Sequence, residues 1–206
     1  TLLKCIARIL KISAGTIRIG NTALHTIPSD KLSRLLSYIP QTEEVINGIN
    51  VFDAVLLGRK PYIRGCPSTE DMDCVARLLE RLDLEKIAMR RLNMLSGGQR
   101  QRVFIARALA QQPSILLLDE PIANLDISHQ MKVMKLLQKL AGEGMTIVIT
   151  IHDINMAARF CNKALMLKQG EVFAFGLQAV YTPENIERLY GMEVDVLHHK
   201  DNLYII

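Results

Sequence analysis

Two carboxylates follow one another at the end of an apolar run. Ile115–Leu118 is continuous in aliphatic side chains and leads directly into Asp119 and Glu120. Such a run predicts a strand of a parallel sheet that helices cover on both faces. Because successive side chains of a strand point to opposite faces, we expect one carboxylate to hold Mg2+ and its neighbour to orient an attacking water. A purely structural pair of acids at a strand end is the alternative interpretation.

A serine, two glycines and a glutamine mark the start of a helix upstream of these acids. Ser96 and Gln99 have the spacing of a capping box at the entrance to the helical pattern Arg100–Gln111. Gly97 and Gly98 are expected to leave the backbone bare. The free N–H groups of a helix start, together with a serine hydroxyl, can bind a phosphate. An ordinary capped helix is the alternative.

Two further polar residues follow predicted strands. Gln41 comes after the strand candidate Leu35–Tyr38, where its amide oxygen could complete the shell of a Mg2+ ion. His152 comes after Thr146–Thr150, which we predict to be a second buried strand. Taken alone, each residue is better explained as an ordinary polar or structural residue beyond a strand.

The composition limits the kinds of protein that this chain can be. With 206 residues, of which 49% are apolar and 22% charged, the chain predicts one globular domain with a sizeable core. The net charge of +4 is spread without a basic run, which disfavours nucleic acid as a partner. The apolar stretches are shorter than the roughly 20 residues of a membrane span, so a membrane role would need a partner. The four cysteines show no metal-binding spacing.

In their order along the chain, these motifs resemble those of ATP-binding cassette (ABC) transporter ATPases. Leu95–Gln99 resembles the signature sequence, Ile115–Glu120 the Walker B strand and Ile122–Asp126 the D-loop, although an isoleucine opens this last segment where threonine is common. Gln41 corresponds to the Q-loop glutamine and His152 to the switch histidine. The resemblance extends over essentially the whole chain.

This resemblance implies an α/β fold with a P-loop NTPase-type core, consisting of a mostly parallel sheet, a helical subdomain and an N-terminal antiparallel portion. We expect a single ABC ATPase domain over residues 1–206. Residues 1–45 and 112–206 would form the ATPase core, and residues 46–111 the helical subdomain that includes the signature. The helical spacing of apolar residues from Met72 to Leu82 agrees with such a subdomain.

The resemblance also assigns roles to single residues, with ATP and Mg2+ as the cofactors. It implies that Gln41 and Asp119 hold the metal ion and that Glu120 is the catalytic base. It further implies that His152 reaches the terminal phosphate of the nucleotide.

The other residues implied to contact nucleotide belong to the signature and the D-loop, namely Ser96, Gly97, Gly98, Gln99 and Asp126. In the family, two subunits face each other head to tail, so that the signature of one seals the nucleotide held by the other. A homodimer is therefore the implied assembly.

The first residues, Thr1–Lys4, resemble the segment that directly follows the GxxxxGK[ST] phosphate loop of the family, and that motif is absent from the sequence. We expect a truncated N-terminus, with a first strand, an adenine-stacking aromatic residue and the central strand ahead of Thr1. Thr1 would then be the surviving residue near the α-phosphate. By itself, such a fragment is expected to be inactive.

Two segments resemble one group within the family. Leu57–Tyr62 and Tyr181–Gly191 are similar to importers of iron complexes such as siderophores and haem, or of cobalamin. The implied partners are two transmembrane permease subunits and, indirectly, a periplasmic or extracellular substrate-binding protein. The ATPase would be peripheral, at the cytoplasmic face of the cell (inner) membrane. Importers of zinc or manganese are one alternative. Non-transport ABC ATPases that act on nucleic acid are another, which one compact cassette disfavours.

Overall fold

The computed structural model describes residues 1–41, 48–199 and 202–206. These residues form two compact units, Thr1–Thr150 and Ile151–Ile206. The expected boundary between the ATPase core and the helical subdomain, at residues 45 and 46, lies outside the described residues, so that division stays a prediction. In the described part of the chain, no helix is both long and apolar enough to cross a bilayer.

The first unit alternates helices with short strands. Its helices are α1 (Leu2–Ile6), α2 (Ser29–Leu35), α3 (Val51–Leu56), α4 (Thr69–Arg81), α5 (Gly97–Ala110) and α6 (Ile127–Gly142). Its strands are β1 (Arg18–Ile19), β2 (Thr22–Ala23), β3 (Leu36–Ile39), β4 (Ile115–Asp119) and β5 (Thr146–Thr150). Short 3-10 helices occupy Leu24–Thr26, Leu57–Arg59, Glu85–Ile87 and Leu92–Met94. The α/β class predicted from the sequence is confirmed.

Three parallel strands form the sheet of the first unit, in the order β3-β4-β5. The middle strand β4 has Leu116–Leu118 fully buried, as its continuous apolar run predicts. Asp119, the last residue of β4, pairs in register with Thr150 at the end of β5. The antiparallel hairpin of β1 and β2 is the expected N-terminal antiparallel portion.

The strand β5 differs from the expectation of a buried strand. Its residues alternate between exposed and half-buried, and Val148 is 38% exposed. The reason is its place in the sheet, since β5 pairs with β4 along one side and is an edge strand within the described residues. The sequence Thr146–Thr150 thus has the composition of an inner strand in an edge position.

The first helix is shorter than its sequence pattern predicts. The helical spacing runs through Leu10, but α1 ends at Ile6. Arg8 adopts a left-handed backbone conformation with φ of 58°, which ends the helix. Its guanidinium donates a hydrogen bond of 2.6 Å to the carbonyl oxygen of Ile27.

Three helices, α3, α4 and α5, pack against one another between β3 and β4 in the chain. Two of them begin with capping boxes, formed by Ser68 with Asp71 on α4 and by Ser96 with Gln99 on α5. Such boxes satisfy backbone N–H groups that a helix start otherwise leaves without partners. Apolar side chains form the core between these three helices, where Val55, Val75, Val103 and Ile105 are fully buried.

The segment Gly58–Tyr62, which its glycine and proline predict to be a loop, begins as the end of a 3-10 helix packed on α5. A Cβ atom at Gly58 would lie 2.0 Å from the carbonyl oxygen of Arg107, so only glycine allows this approach. Arg59 is buried and makes a 2.8 Å ion pair with Asp71. The Arg59 guanidinium also donates to the carbonyl of Ala110 at 3.0 Å. A residue expected in a loop is thus a central contact of the helical cluster.

Besides a short 3-10 helix at Gln178–Val180, the second unit contains two α-helices and two antiparallel hairpins among the residues that the structure describes. They are α7 (Ile154–Phe160), β6 (Ala164–Lys168) with β7 (Glu171–Gly176), α8 (Pro183–Tyr190), and β8 (Val196–His199) with β9 (Asn202–Ile205). The core of the unit includes Ala158, Met166, Tyr181, Ile186 and Leu203. The sequence pattern predicts a hairpin around residues 168–170, a last helix capped at Thr182 and short strands toward the C-terminus, and the structure contains each of them.

Candidate functional site

The carboxyl ends of the three parallel strands bring five polar side chains to one edge of the sheet. Tyr38 lies near the end of β3 and Gln41 follows it, Asp119 ends β4 and Glu120 follows it, and Thr150 ends β5. Because neighbouring parallel strands end at the same edge, residues far apart in the sequence become hydrogen-bonding partners here. We call these five residues the strand-end cluster.

The Asp119 carboxylate is held from both sides within this cluster. The hydroxyl of Thr150 donates to Oδ1 of Asp119 at 2.6 Å, and the hydroxyl of Tyr38 donates to Oδ2 at 3.2 Å. Burial of the phenol, together with the negative charge of Asp119 and their hydrogen bond, raises the pKa of Tyr38 to about 12. Tyr38 therefore stays a neutral hydrogen-bond donor at physiological pH.

Glu120 begins the turn after β4 in a left-handed backbone conformation, with φ of 51°. Its N–H donates to the Thr150 hydroxyl at 2.9 Å, which anchors this uncommon conformation. The side-chain amide of Gln41 donates to Oε2 of Glu120 at 2.6 Å. The structure therefore brings Gln41 and Glu120 together, as the sequence analysis expects of two residues of one site.

The donor atoms of the strand-end cluster fit a Mg2+ ion. The bond to Glu120 uses the amide nitrogen of Gln41, and its amide oxygen remains an acceptor. Each oxygen of the Asp119 carboxylate has lone pairs beyond those that Tyr38 and Thr150 use. Carboxylate and amide oxygens are hard ligands, and Mg2+ usually completes its shell with waters and substrate phosphates. A Mg2+ ion bound in this way does not need three or more His, Cys, Asp or Glu ligands from the protein. The described residues contain no such group of ligands.

The start of α5 has the predicted capping box. The Ser96 hydroxyl oxygen accepts from the N–H of Gln99 at 3.3 Å, and the side-chain oxygen of Gln99 accepts from the N–H of Ser96 at 3.2 Å. Of the two glycines between them, only Gly97 agrees with the expectation of a bare backbone. Gly97 is exposed, whereas Gly98 is buried, and a Cβ atom there would lie 2.0 Å from the imidazole of His129.

Asp126 is held next to the same imidazole. Its side chain caps α6, where Oδ1 accepts from the N–H of His129 at 2.9 Å and Oδ2 lies 2.6 Å from Nδ1 of the ring. These hydrogen bonds from the backbone and ring of His129 lower the pKa of the Asp126 carboxyl. The signature and the predicted D-loop thus meet at His129, so Ser96–Gln99, Asp126 and His129 form a second cluster.

Thr1 and His152 are the last two candidates. Thr1 is exposed at the start of α1, and its side chain forms no capping hydrogen bond. His152 belongs to the second unit, where it is exposed just before α7, and its carbonyl oxygen accepts a 3.0 Å hydrogen bond from the hydroxyl of Tyr190.

Three residues of these clusters were missed in the sequence analysis. Thr150 could have been found, because a polar residue that ends the strand beside an Asp-ending strand meets the acid when the two are in register. Tyr38 and His129 give weaker signals. The alternation of β3 leaves Tyr38 indistinguishable from a core aromatic residue, and nothing local connects His129 with Gly98, 31 positions away.

Comparison with known proteins identifies the family. The profile of the ABC transporter family matches residues 1–123. An uncharacterized ABC transporter ATP-binding protein of Methanocaldococcus jannaschii is 45% identical over 94% of this chain and 76% of its own length. A hemin import ATP-binding protein of Bordetella avium is 39% identical over 97% of this chain and 79% of its own. The corresponding values for an iron(3+)-hydroxamate import ATP-binding protein of Bacillus subtilis are 37%, 96% and 75%.

Among solved structures, a dimeric ATP-binding cassette in a post-hydrolysis state with bound ADP and phosphate is similar. It superposes with a TM-score of 0.73 at 34% identity, over 86% of this chain and 79% of that one. Family profile, relatives and fold therefore agree with the order of the motifs, and the chain belongs to the ABC transporter family as one of its ATP-binding cassettes.

Proposed function

We propose that this chain is the ATP-hydrolysing subunit of a membrane importer for iron complexes. The observation that carries the proposal is the strand-end cluster, in which Gln41 bonds to Glu120 at 2.6 Å and Thr150 bonds to Asp119 at 2.6 Å. This arrangement combines a carboxylate held in place for a metal ion with a second carboxylate held beside it for acid–base chemistry.

In the proposed mechanism, Asp119 and the amide oxygen of Gln41 would hold Mg2+, which would neutralise phosphate charge during phosphoryl transfer. Glu120 accepts the proton of the attacking water, as a general base positioned by its turn and by Gln41. Tyr38 and Thr150 keep the Asp119 carboxylate in one orientation, so that its ligand geometry is set before nucleotide arrives.

The second cluster acts on the nucleotide of the opposite subunit in this proposal. A helix start with a serine hydroxyl offers hydrogen-bond donors to an anion, and Ser96 and Gly97 are exposed at the start of α5. In a head-to-tail homodimer, Ser96–Gln99 and Asp126 would seal the γ-phosphate and exclude bulk water. His152, by contrast, would contact the terminal phosphate alongside Glu120 of its own subunit during hydrolysis.

We propose a cavity of about 540 Å3 beside β3 as the docking site for a membrane partner. Its lining includes Arg8 after α1, Tyr38 of β3, Gly58 before α4 and Arg107 of α5. Tyr38 therefore contacts both the cavity and, through its hydroxyl, Asp119. A permease segment seated in this cavity would bear on the residue that orients the metal-binding carboxylate. We assign the cavity to such a segment of the transmembrane partner.

The substrate class rests on the relatives. Two of them act in hemin import and in iron(3+)-hydroxamate import, and their similarity spans nearly the whole chain. We propose that this ATPase serves uptake of the same class, iron–siderophore complexes, haem or the related metal complex cobalamin. The subunit would lie at the cytoplasmic face of the cell membrane, with two permease subunits and a substrate-binding protein outside.

We further propose that the 206-residue chain by itself hydrolyses no ATP. The printed sequence contains no GxxxxGK[ST] motif, and such a loop supplies the backbone N–H groups and the lysine that hold the β- and γ-phosphates. Gln41 and Asp119 offer oxygens to the metal ion and none of these cationic or N–H contacts.

An uptake assay tests the function. In these experiments, the full-length protein means the chain extended upstream to include a GxxxxGK[ST] loop. Cells that express it with its permease should accumulate radiolabelled ferric hydroxamate, haem or cobalamin. Cells that express its Glu120→Gln variant should not. Equal uptake by both strains would overturn the proposed role. Energy-dependent uptake of zinc alone would instead reassign the substrate class.

A further inference from the structure

The space beside Gly98, where a larger residue would place its side chain, is filled by the side chain of His129 from another helix. A Cβ atom built on it would lie 2.0 Å from Cδ2, 2.6 Å from Cγ and 2.7 Å from Nε2 of His129. Real Cβ atoms do not approach heavy atoms this closely, so any larger residue at position 98 must displace the imidazole or the start of α5. At Gly97 the same construction meets only Leu125, at 3.5 Å, an ordinary contact.

The backbone conformation does not explain the glycine at position 98. Neither Gly97 nor Gly98 has the positive φ that favours glycine, and both lie in the first turn of α5, where alanine is the better helix former. The requirement at position 98 is therefore steric. It comes from His129, a residue of another helix.

The His129 ring cannot easily move aside. The Asp126 carboxylate accepts from the N–H of His129 with one oxygen and contacts Nδ1 of its ring with the other, at 2.9 and 2.6 Å. Backbone and ring are thus tied to the same side chain. Swinging the ring away from Gly98 would break the shorter of these contacts and leave the face of α5 uncovered.

We propose that His129 is a positioning residue that fixes the start of α5 to the segment ending at Asp126. Gly98 is required because the imidazole occupies the space of its side chain, a steric demand separate from the nucleotide contact proposed for the start of α5. Ser96 and Asp126 then move as one rigid body. This inference rests on the proposed function for its consequence, since both residues are assigned to the nucleotide of the opposite subunit.

A double-mutant cycle on the full-length protein tests the packing without nucleotide. Thermal unfolding is measured for the wild type, Gly98→Ala, His129→Ala and the double variant. We expect Gly98→Ala to lower the midpoint in the wild-type background and to leave it unchanged or raised in the His129→Ala background, where the space is open. Gly97→Ala is the matched control, because its added methyl meets only an ordinary contact, and it should not lower the midpoint.

The same variants are then compared in ATP turnover. Gly98→Ala should lower kcat at least tenfold relative to wild type, and the loss should be clearly smaller when the substitution is added to His129→Ala. An equal loss of kcat in both backgrounds would mean that His129 does not impose the glycine, and that result overturns the proposal. If Gly98→Ala alone does not fold, recovery of a folded protein by His129→Ala supports the proposal, and a double variant that is also unfolded overturns it.

The two readouts separate this inference from the proposed function. Absence of ATP turnover in the wild-type protein would contradict the proposed function. The unfolding cycle would still decide whether His129 imposes glycine at position 98.

Discussion

At the scale of single residues, Glu120 is the side chain on which the proposed hydrolysis depends. Replacing it with glutamine keeps the size of the side chain and removes the base. Because a positioned base typically contributes 10²–10⁴-fold, we expect Glu120→Gln in the full-length protein to lower ATP turnover by at least about 100-fold, with nucleotide binding retained. Turnover and equilibrium ATP binding are measured side by side.

A matched control for this variant is Glu143→Gln, which removes an exposed carboxylate that pairs with Arg81 at the surface. That substitution should leave turnover within about twofold of wild type, as is usual for exposed ion pairs of little energetic weight. Turnover near wild type for Glu120→Gln, with ATP still bound, would contradict its assignment as the base.

His152 permits a test of function against stability. Its side chain is exposed, and the hydrogen bond from Tyr190 goes to its carbonyl oxygen, which alanine retains. We therefore expect His152→Ala to lower kcat by at least tenfold with little change in nucleotide affinity or melting temperature, since a group that acts in the transition state contributes little to ground-state binding. His25→Ala, another exposed histidine, is the control. A lowered melting temperature with unchanged kcat would favour a structural histidine.

At the scale of elements, the start of α5 is the surface assigned to the second subunit. Ser96→Arg places a bulky cation there, so ATP-driven dimerisation should be lost while the nucleotide affinity of the monomer changes little. Sedimentation of the full-length protein in a Glu120→Gln background with ATP measures it. Ser13→Arg, which adds the same charge at another exposed serine, should leave the dimer intact. A persistent Ser96→Arg dimer would count against the head-to-tail arrangement.

The cap of α4 gives a prediction on acid stability. Hydrogen bonds from Ser68, followed by that from Arg59, lower the pKa of the Asp71 carboxyl from 3.8 to about 2. A depressed folded-state pKa stabilises the fold fully above the unfolded value, and this contribution is lost as the pH falls toward the folded value. The difference in melting temperature between wild type and Asp71→Asn should therefore be largest near pH 7 and shrink from pH 4 toward pH 2.

The control for this measurement is Asp73→Asn, which removes an exposed carboxylate of the same helix and so matches the change in net charge. If the difference in melting temperature between wild type and Asp71→Asn stayed constant down to pH 2, the stabilisation by Asp71 would not depend on the charge of its carboxylate.

At the scale of the whole molecule, we expect the 206-residue chain to bind nucleotide weakly. Charge-assisted hydrogen bonds contribute roughly 1.5–3 kcal/mol each, and the contacts of a phosphate loop are several such bonds. Calorimetric titration of the 206-residue chain with Mg-ATP should therefore show no micromolar binding, whereas a chain that includes a GxxxxGK[ST] loop should bind. Micromolar binding by the 206-residue chain would mean that another element replaces this loop.

The sequence by itself determined the features that depend on neighbours within one turn or one strand. The capping box of Ser96 with Gln99, the cap of Thr182 on α8 and the buried strand Ile115–Leu118 all follow from spacings of at most four residues. The motifs also sufficed to predict the family. Each motif is a short local segment, and the order of the motifs can be read directly along the sequence. These signals are readable since local backbone geometry is set by adjacent residues.

Only the tertiary structure decided which distant residues meet. Thr150 reaches Asp119 across 31 positions because two parallel strands end in register, and Arg59 is buried because its guanidinium finds the end of α5, 51 positions away. His129 fills the space beside Gly98 because α5 and α6 pack there. Within the described residues, β5 is also exposed because it pairs with β4 along one side only, although its composition is that of an inner strand. Register and helix packing are set by the whole chain, so no local pattern reveals them.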